Sequence, residues 1–325
     1  MKVYKDLDTL SVKTPAACGL GNFDGVHLGH QKLISELVTI ADEKGLESFV
    51  VTFEPHPSKI LFPEKSSPLI TSLGQKQKVI EAHGVKNLVV IPFTRTFSEM
   101  SYEEFIDCVL IEKLKAKLVV VGYNFRFGSG GRGTVEELII MGKKKGFDTL
   151  IIPPVTLEEK VVSSTLIRSM IERGDMVEAR ALLGRPFSIE GKVVTGEAIG
   201  RKLGFPTANV SFSPEIVVPA YGVYAVLVSL RGKFYKGIAN VGEKPTFKRK
   251  VANNQPTLEV HIFDFNEQIY GEEVEVYFIE RIRDERLFPD AKSLAQQVKQ
   301  DFLRARSILD KVREPKQSIP YMSRL

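Results

Sequence analysis

Gly21-Asn22-Phe23-Asp24-Gly25-Val26-His27-Leu28-Gly29-His30 sets the fold of the first half of this chain. An apolar run, Ala16–Leu20, precedes it, and residues 31–44 follow it with Leu33, Leu37 and Ala41 on one helical face before Gly45. A strand that passes through glycines into a helix start leaves backbone N–H groups unpaired at the positive end of the helix dipole. That is a place for phosphate. His27 and His30, three residues apart, converge on one side of the turn. The competing readings are a zinc pair, which needs further ligands that are not visible nearby, or two structural histidines.

Outward from this turn, β-rich runs alternate with amphipathic stretches. Residues 48–53, 88–93, 118–122 and 150–152 read as strands. Helices are expected over 75–83, ending at Gly84, and over Val135–Lys145. Ser101 with Glu104, and Thr134 with Glu137, are capping-box pairs that open helices. Such alternation predicts a parallel, doubly wound, Rossmann-like α/β sheet with ligands beyond the carboxyl ends of its strands. Two further helices, Ser164–Arg173 and 175–183, lead to Gly184 and Pro186, where the domain boundary is placed: 1–184 and 185–325.

After Pro186 the pattern changes. Residues 188–194, 223–230, 234–239, 258–263 and 274–279 are strand-like and punctuated by Gly and Pro, which predicts a small antiparallel β-barrel. A long terminal helix over 291–312 follows. Within this half, Gly200-Arg201-Lys202-Leu203-Gly204-Phe205-Pro206-Thr207-Ala208-Asn209 joins a basic glycine-rich loop to polar oxygens suited to phosphate and Mg²⁺, although a plain hairpin turn has the same composition. In Leu258-Glu259-Val260-His261-Ile262, strand alternation puts Glu259 and His261 on one face. A strand carboxylate can take the proton of an alcohol attacking a γ-phosphate; an exposed strand glutamate is more often inert. No GxxxxGK[ST] is present, so a P-loop kinase is excluded. Gly128-Ser129-Gly130-Gly131-Arg132-Gly133 fits GxGxxG, with Asp148 twenty residues on, but lies outside the first βα turn and reads as a loop rather than a dinucleotide fingerprint.

Composition narrows the classes. The 325 residues suit about two domains, and 43% hydrophobic with 26% charged residues describes a globular protein. The amino-terminal residues lack a secretory pattern and no apolar run approaches the roughly 20 residues of a membrane span, so a cytoplasmic protein with no membrane partner is expected. Two cysteines, Cys18 and Cys108, cannot make a disulfide framework, and both read as buried free thiols. A net charge of +5 is small for this length, and a nucleic-acid partner is not expected.

The 21–30 stretch resembles the signature of bacterial FAD synthetases in the HxGH nucleotidyltransferase superfamily. Thr52-Phe53-Glu54-Pro55-His56-Pro57, Asn124-Phe125-Arg126-Phe127-Gly128 and Val162-Ser163-Ser164-Thr165-Leu166-Ile167-Arg168 match the same family in order. The barrel segments 200–209, Gly222-Val223-Tyr224, Gly237-Ile238-Ala239-Asn240 and 258–265 are similar to riboflavin kinases. The resemblance, to the bacterial bifunctional flavin enzymes, covers nearly the whole chain. It implies ATP-dependent phosphorylation of riboflavin to FMN, then adenylylation of FMN to FAD with release of pyrophosphate, with Mg²⁺ required and riboflavin, FMN, FAD and ATP as the small-molecule partners. It further implies that Gly21, Asn22, Phe23, Asp24, Gly25, His27, His30, His56, Ser164, Thr165 and Arg168 bind ATP for adenylyl transfer, with His27, His30 and Arg168 catalytic. Asn124, Phe125 and Arg126 would bind flavin. On the kinase side, Gly200, Arg201, Lys202, Gly204, Pro206, Thr207 and Asn209 would bind ATP, Thr207 and Asn209 would hold Mg²⁺, and Glu259 would be the base, with His261 as structural support. Two alternatives stand beside this: a flavin-binding regulatory protein without turnover, and an adenylyltransferase for another phosphate ester.

Overall fold

The computed structural model describes residues 1–10, 12–196, 205–243 and 256–312. It divides into two compact units, one formed by Met1–Ser67 with Leu73–Ser163 and one by Pro68–Ser72 with Ser164–Leu325.

In chain order the first unit holds Lys2–Tyr4 (β1), Ala16–Leu20 (β2), Leu28–Glu43 (α1), Glu47–Glu54 (β3), Pro57–Leu61 (α2), Leu73–Ala82 (α3), Asn87–Pro92 (β4), Arg95–Glu99 (α4), Tyr102–Glu104 (α5, continued by the wider-wound Phe105–Lys113), Ala116–Gly122 (β5), Val135–Lys145 (α6), Asp148–Ile152 (β6) and a two-stranded ribbon, Thr156–Leu157 (β7) with Lys160–Val161 (β8). Six parallel strands run in the order β1-β4-β3-β2-β5-β6. The order reverses around β2, the topological switch point where α/β sheets bind ligands. All five residues of β2 are buried, as expected of a central parallel strand covered on both faces. One core layer gathers Cys18, Leu20, Phe49 and Val119, and the other gathers Ile34, Leu37, Val50 and Val120. Leu37, fully buried, ties α1 to the sheet, and Leu37→Ala would cost about 2–5 kcal/mol.

The capping boxes at Ser101/Glu104 and Thr134/Glu137 are both formed. Two expectations change. The edge strand Lys2–Tyr4 was not foreseen: three residues carry no periodicity, and pairing with β4 alone makes them a strand. Cys108 is exposed, unlike Cys18, whose thiol is pushed up by full burial. The helix buries Phe105, Ile106, Val109 and Leu110, and residue 108 lies on the opposite, solvent side.

The second unit opens with Ser164–Arg173 (α7) and Met176–Leu183 (α8). A closed antiparallel barrel follows, built from Phe187–Val194 (β9), Ala208–Phe212 (β10), Gly222–Leu230 (β11), Lys233–Glu243 (β12), Pro256–Ile262 (β13) and Glu273–Asp284 (β14) in the order β10-β13-β12-β11-β14-β9. The strand Ala208–Phe212, absent from the strands expected from the sequence, closes the barrel by pairing with both β9 and β13. Ala291–Leu309 (α9) packs Ala305 and Leu309 onto Val223, Ala225, Leu227 and Ile279 of the barrel wall. Tyr224 is fully buried and donates to the Ala220 carbonyl; burial pushes its phenol up to about 12.

Candidate active sites

Beyond β2 the chain turns sharply. The Gly21 N–H donates to the Val51 carbonyl at 3.2 Å, and Phe23, fully buried with φ 50°, swings the backbone into a single turn over Asp24–Val26. His27 then caps α1: its Nδ1 accepts from the His30 N–H at 3.4 Å. With Nδ1 an acceptor, the His27 proton sits on Nε2. The His27 and His30 rings stack with centroids 3.7 Å apart and planes at 15°, and Phe23 meets the His30 ring edge-on. Gly29 makes this possible, since a Cβ there would lie 3.1 Å from His27 Cε1. The expected convergence of the two imidazoles at a helix start is what the fold produces.

The floor of the turn is polar and buried. The Asn22 carbonyl accepts from Thr52 Oγ1 at 3.1 Å and from Lys76 Nζ at 2.8 Å. Asp24 and Lys76 are 3% and 5% exposed, so neither is an ordinary surface charge. Burial lowers the Lys76 ammonium below its usual range, and Asp24 and Glu54 act in the opposite direction. Lys76 escaped the sequence analysis. The signal was a lysine at the position where α3 also buries Val79 and Ile80, three and four residues on.

His56 caps α2 by accepting from the Ser58 N–H, and its Nδ1 lies 2.8 Å from Ser58 Oγ. Phe125 stacks on Phe127 (5.6 Å, 17°), which leads into an aromatic cluster with Phe105, Phe97, Phe93 and Phe53. Asn124 and Arg126 beside it are exposed, and Arg126 donates to the Gly131 carbonyl at 3.2 Å. The 128–133 stretch is a loop between β5 and α6, closed by a bridge of Phe127 to Gly133. Ser164, Thr165 and Arg168 lie in the first turns of α7, in the second unit, where Arg168 Nε donates to the Pro68 carbonyl at 2.7 Å.

The barrel site is assembled by register. Glu259 on β13 is paired with Asn209 on β10 and with Asn240 on β12. Thr207 Oγ1 donates to Glu259 Oε2 at 3.5 Å. Leu258, Val260 and Ile262 are buried while Glu259 and His261 are half-buried, the alternation expected from the sequence. His261 Nδ1 lies 2.7 Å from the Pro206 carbonyl and must donate to it, because a carbonyl only accepts. The ring stacks on Phe302 of α9 (4.7 Å, 11°), and burial holds its pKa below the ordinary 6.5. His261 thereby fixes the segment that carries Thr207 to the strand that carries Glu259.

The oxygens gathered here fit Mg²⁺. A hydroxyl, an amide and a carboxylate are hard donors, and their small number suits an ion that keeps water and phosphate ligands. Gly196 opens space for them, because a Cβ there would overlap the Asn209 amide. Gly200, Arg201, Lys202 and Gly204 fall outside the described residues. Near the carboxyl end of β14, Arg283 pairs with buried Asp301 of α9 at 2.8 Å, and Gln297 donates to the same carboxylate at 2.7 Å. Arg286 covers the Phe288 ring, and Arg286, Phe288, Gln297 and Gln300 line a groove.

Comparison with known proteins gives two family matches. The FAD synthetase family matches residues 10–166, and the riboflavin kinase family matches residues 183–309. A bifunctional riboflavin kinase/FMN adenylyltransferase of Bacillus subtilis (strain 168) is 42% identical over 283 residues, 87% of this chain and 89% of its own. That of Escherichia coli (strain K12) is 35% identical over 309 residues, 94% of this chain and 97% of its own. A crystal structure described as a macrolide-efflux protein from Streptococcus pneumoniae superposes with a TM-score of 0.84 at 34% identity, covering 94% of this chain and 98% of that one. Among the described residues no helix is long and apolar enough to cross a membrane. Both family matches occur in order along one chain, and the identity extends over nearly the full length of the curated relatives, so this chain belongs to the bifunctional riboflavin kinase/FMN adenylyltransferases.

Proposed function

We propose that the two activities of this flavin-synthesising transferase divide between the two sites, with residues 1–184 as the adenylyltransferase and 185–325 as the kinase. ATP is co-substrate in both reactions, and both are assigned to the cytoplasm.

In the barrel, the Glu259 carboxylate accepts the proton of the terminal ribityl hydroxyl as its oxygen attacks the γ-phosphorus of ATP. The new O–P bond gives FMN, and the bond to the β-phosphate oxygen breaks to release ADP. Thr207 and Asn209 would hold Mg²⁺, which supplies charge neutralisation on the phosphates when bound. Pro206, with Gly200, Arg201, Lys202 and Gly204, would bind ATP. In the α/β half, an FMN phosphate oxygen attacks the α-phosphorus of the second ATP, and the bond to pyrophosphate breaks. No covalent enzyme intermediate is required, so the protein positions the phosphates and stabilises developing charge. His27, its proton on Nε2, and His30 donate to phosphate oxygens. Gly21, Asn22, Phe23, Asp24, Gly25 and His56 shape the nucleotide site, Ser164, Thr165 and Arg168 hold phosphate, and Asn124, Phe125 and Arg126 receive the flavin.

The observation that carries this reading is Glu259 set in register with Asn209, with the Thr207 hydroxyl 3.5 Å away. A bare adenylyltransferase for another phosphate ester has no use for that arrangement. A time course with riboflavin, ATP and Mg²⁺, with the flavins separated by chromatography, tests it. FMN appears first and FAD follows. Riboflavin left unchanged, with added FMN also unconverted, would favour a binding protein without turnover.

A further inference from the structure

Lys76 is a buried cation with no part in the chemistry described so far. It sits on the inward face of α3 with Gln75, Val79 and Ile80, and an ammonium is costly to bury there unless hydrogen bonds and opposite charge offset it. Both are present. Nζ donates to the Asn22 carbonyl at 2.8 Å, and the Asp24 and Glu54 carboxylates act on it. The same carbonyl is taken from the other side by Thr52 Oγ1 at 3.1 Å. A peptide plane held by two donors cannot rotate, so the Asn22–Phe23 unit, which starts the left-handed bend at Phe23, is locked from α3 and β3 together.

Charge gives the arrangement a second consequence. Asp24 is itself buried, and Glu54 ends β3. Two carboxylates beside a turn that receives polyphosphate would repel it, and the Lys76 charge offsets them where solvent screening is weak. We infer that Lys76 is a positioning residue for adenylyl transfer, holding the 21–30 turn in its phosphate-accepting form and neutralising the carboxylates beneath it. This rests on the assignment of that turn to the adenylyltransferase. Lys76 touches the loop and not the substrate.

The full chain carrying Lys76→Met or Lys76→Arg, assayed for FMN adenylylation over a range of ATP, tests the inference, with riboflavin phosphorylation and melting temperature followed in the same preparations. Lys76→Met should lower kcat/KM for ATP in adenylylation by about tenfold or more, mainly through KM, and leave phosphorylation within about twofold. Lys76→Arg should recover part of the loss. Adenylylation that stays within about twofold, or that falls only in step with the melting temperature at unchanged KM for ATP, overturns the inference. Should Lys76→Met not fold, Lys76→Gln replaces it in the same assay: a raised KM for ATP supports the role, and a wild-type KM refutes it. His30→Ala separates the two claims. If it spares adenylylation, the site assignment fails; if it abolishes adenylylation while Lys76→Met does not, only the role of Lys76 fails.

Discussion

The two halves of this molecule solve phosphate chemistry in opposite ways. In the α/β half the two histidines proposed for catalysis come from one continuous turn, and the backbone does much of the work: a strand end, a left-handed bend at Phe23 and a helix start place His27 and His30 within a single ring stack. In the barrel the groups come from separate strands, and hydrogen-bond register does the work, setting Glu259 between Asn209 and Asn240. A turn carries most of its geometry in neighbouring residues, and this one adds two distant contacts, from Thr52 and Lys76. A register site depends on every strand that closes the barrel. Local sites are therefore read from a motif, whereas register sites must be read from a topology.

The sharpest break of this comparison is a pair of single substitutions. Glu259→Ala should lower riboflavin phosphorylation by about 10²–10⁴-fold, the range for loss of a general base, and leave FMN adenylylation intact. His30→Ala should do the reverse, by about 10²–10³-fold, as for loss of a charge-stabilising donor. Equal loss of both reactions in either folded variant would end the two-site division. A smaller effect is expected from Gly29→Val, whose added bulk presses on the His27 ring 3.1 Å from the present Cβ direction; about tenfold slower adenylylation with an unchanged kinase would show that the ring stack itself matters.

A pH test probes the barrel's dependence on His261. Its pKa is lowered by burial, so the unfolded chain binds the proton more readily than the native one. The stability this contributes is present above the ordinary 6.5 and is lost as pH falls from there through the lowered native value. Thermal unfolding followed between about pH 5 and 7.5 should show that loss in the wild type and less of it in His261→Gln, which keeps a side-chain amide donor. Identical pH profiles would mean that burial of the ring does not separate its two protonation states. The smallest effect is expected at Thr134→Ala, which removes the cap of α6 and should cost the α/β half about 1 kcal/mol without altering either activity. A measurable change in adenylylation there would link α6 to the site.

Much of both sites was visible in the residue order. Strand alternation alone put Glu259 and His261 on one face, and the strand–turn–helix pattern alone put His27 and His30 together at a helix start. Lys76 was missed because a lysine on a short helix is ordinarily solvated, and only the packing of α3 shows that it points inward. Ala208–Phe212 was missed because Pro206, Thr207 and Asn209 carry turn chemistry, while the β9 and β13 partners that make a strand of the segment lie far off in sequence. Cys108 was misplaced because even a largely apolar helix keeps a solvent side, and Phe105, Ile106, Val109 and Leu110 take the buried one.

By itself, then, the sequence determined the two fold classes, most of the order of their elements and the helix start that gathers His27 and His30, because each depends on periodicity and on hydrogen bonds between near neighbours. The tertiary structure decided the parallel strand order, the closure of the barrel through Ala208–Phe212, the setting of Glu259 opposite Asn209 and the burial of Lys76 under Asn22. Those depend on which distant segments meet, and the free energy of such meetings comes from area buried and partners satisfied across the whole domain rather than from any local run of residues.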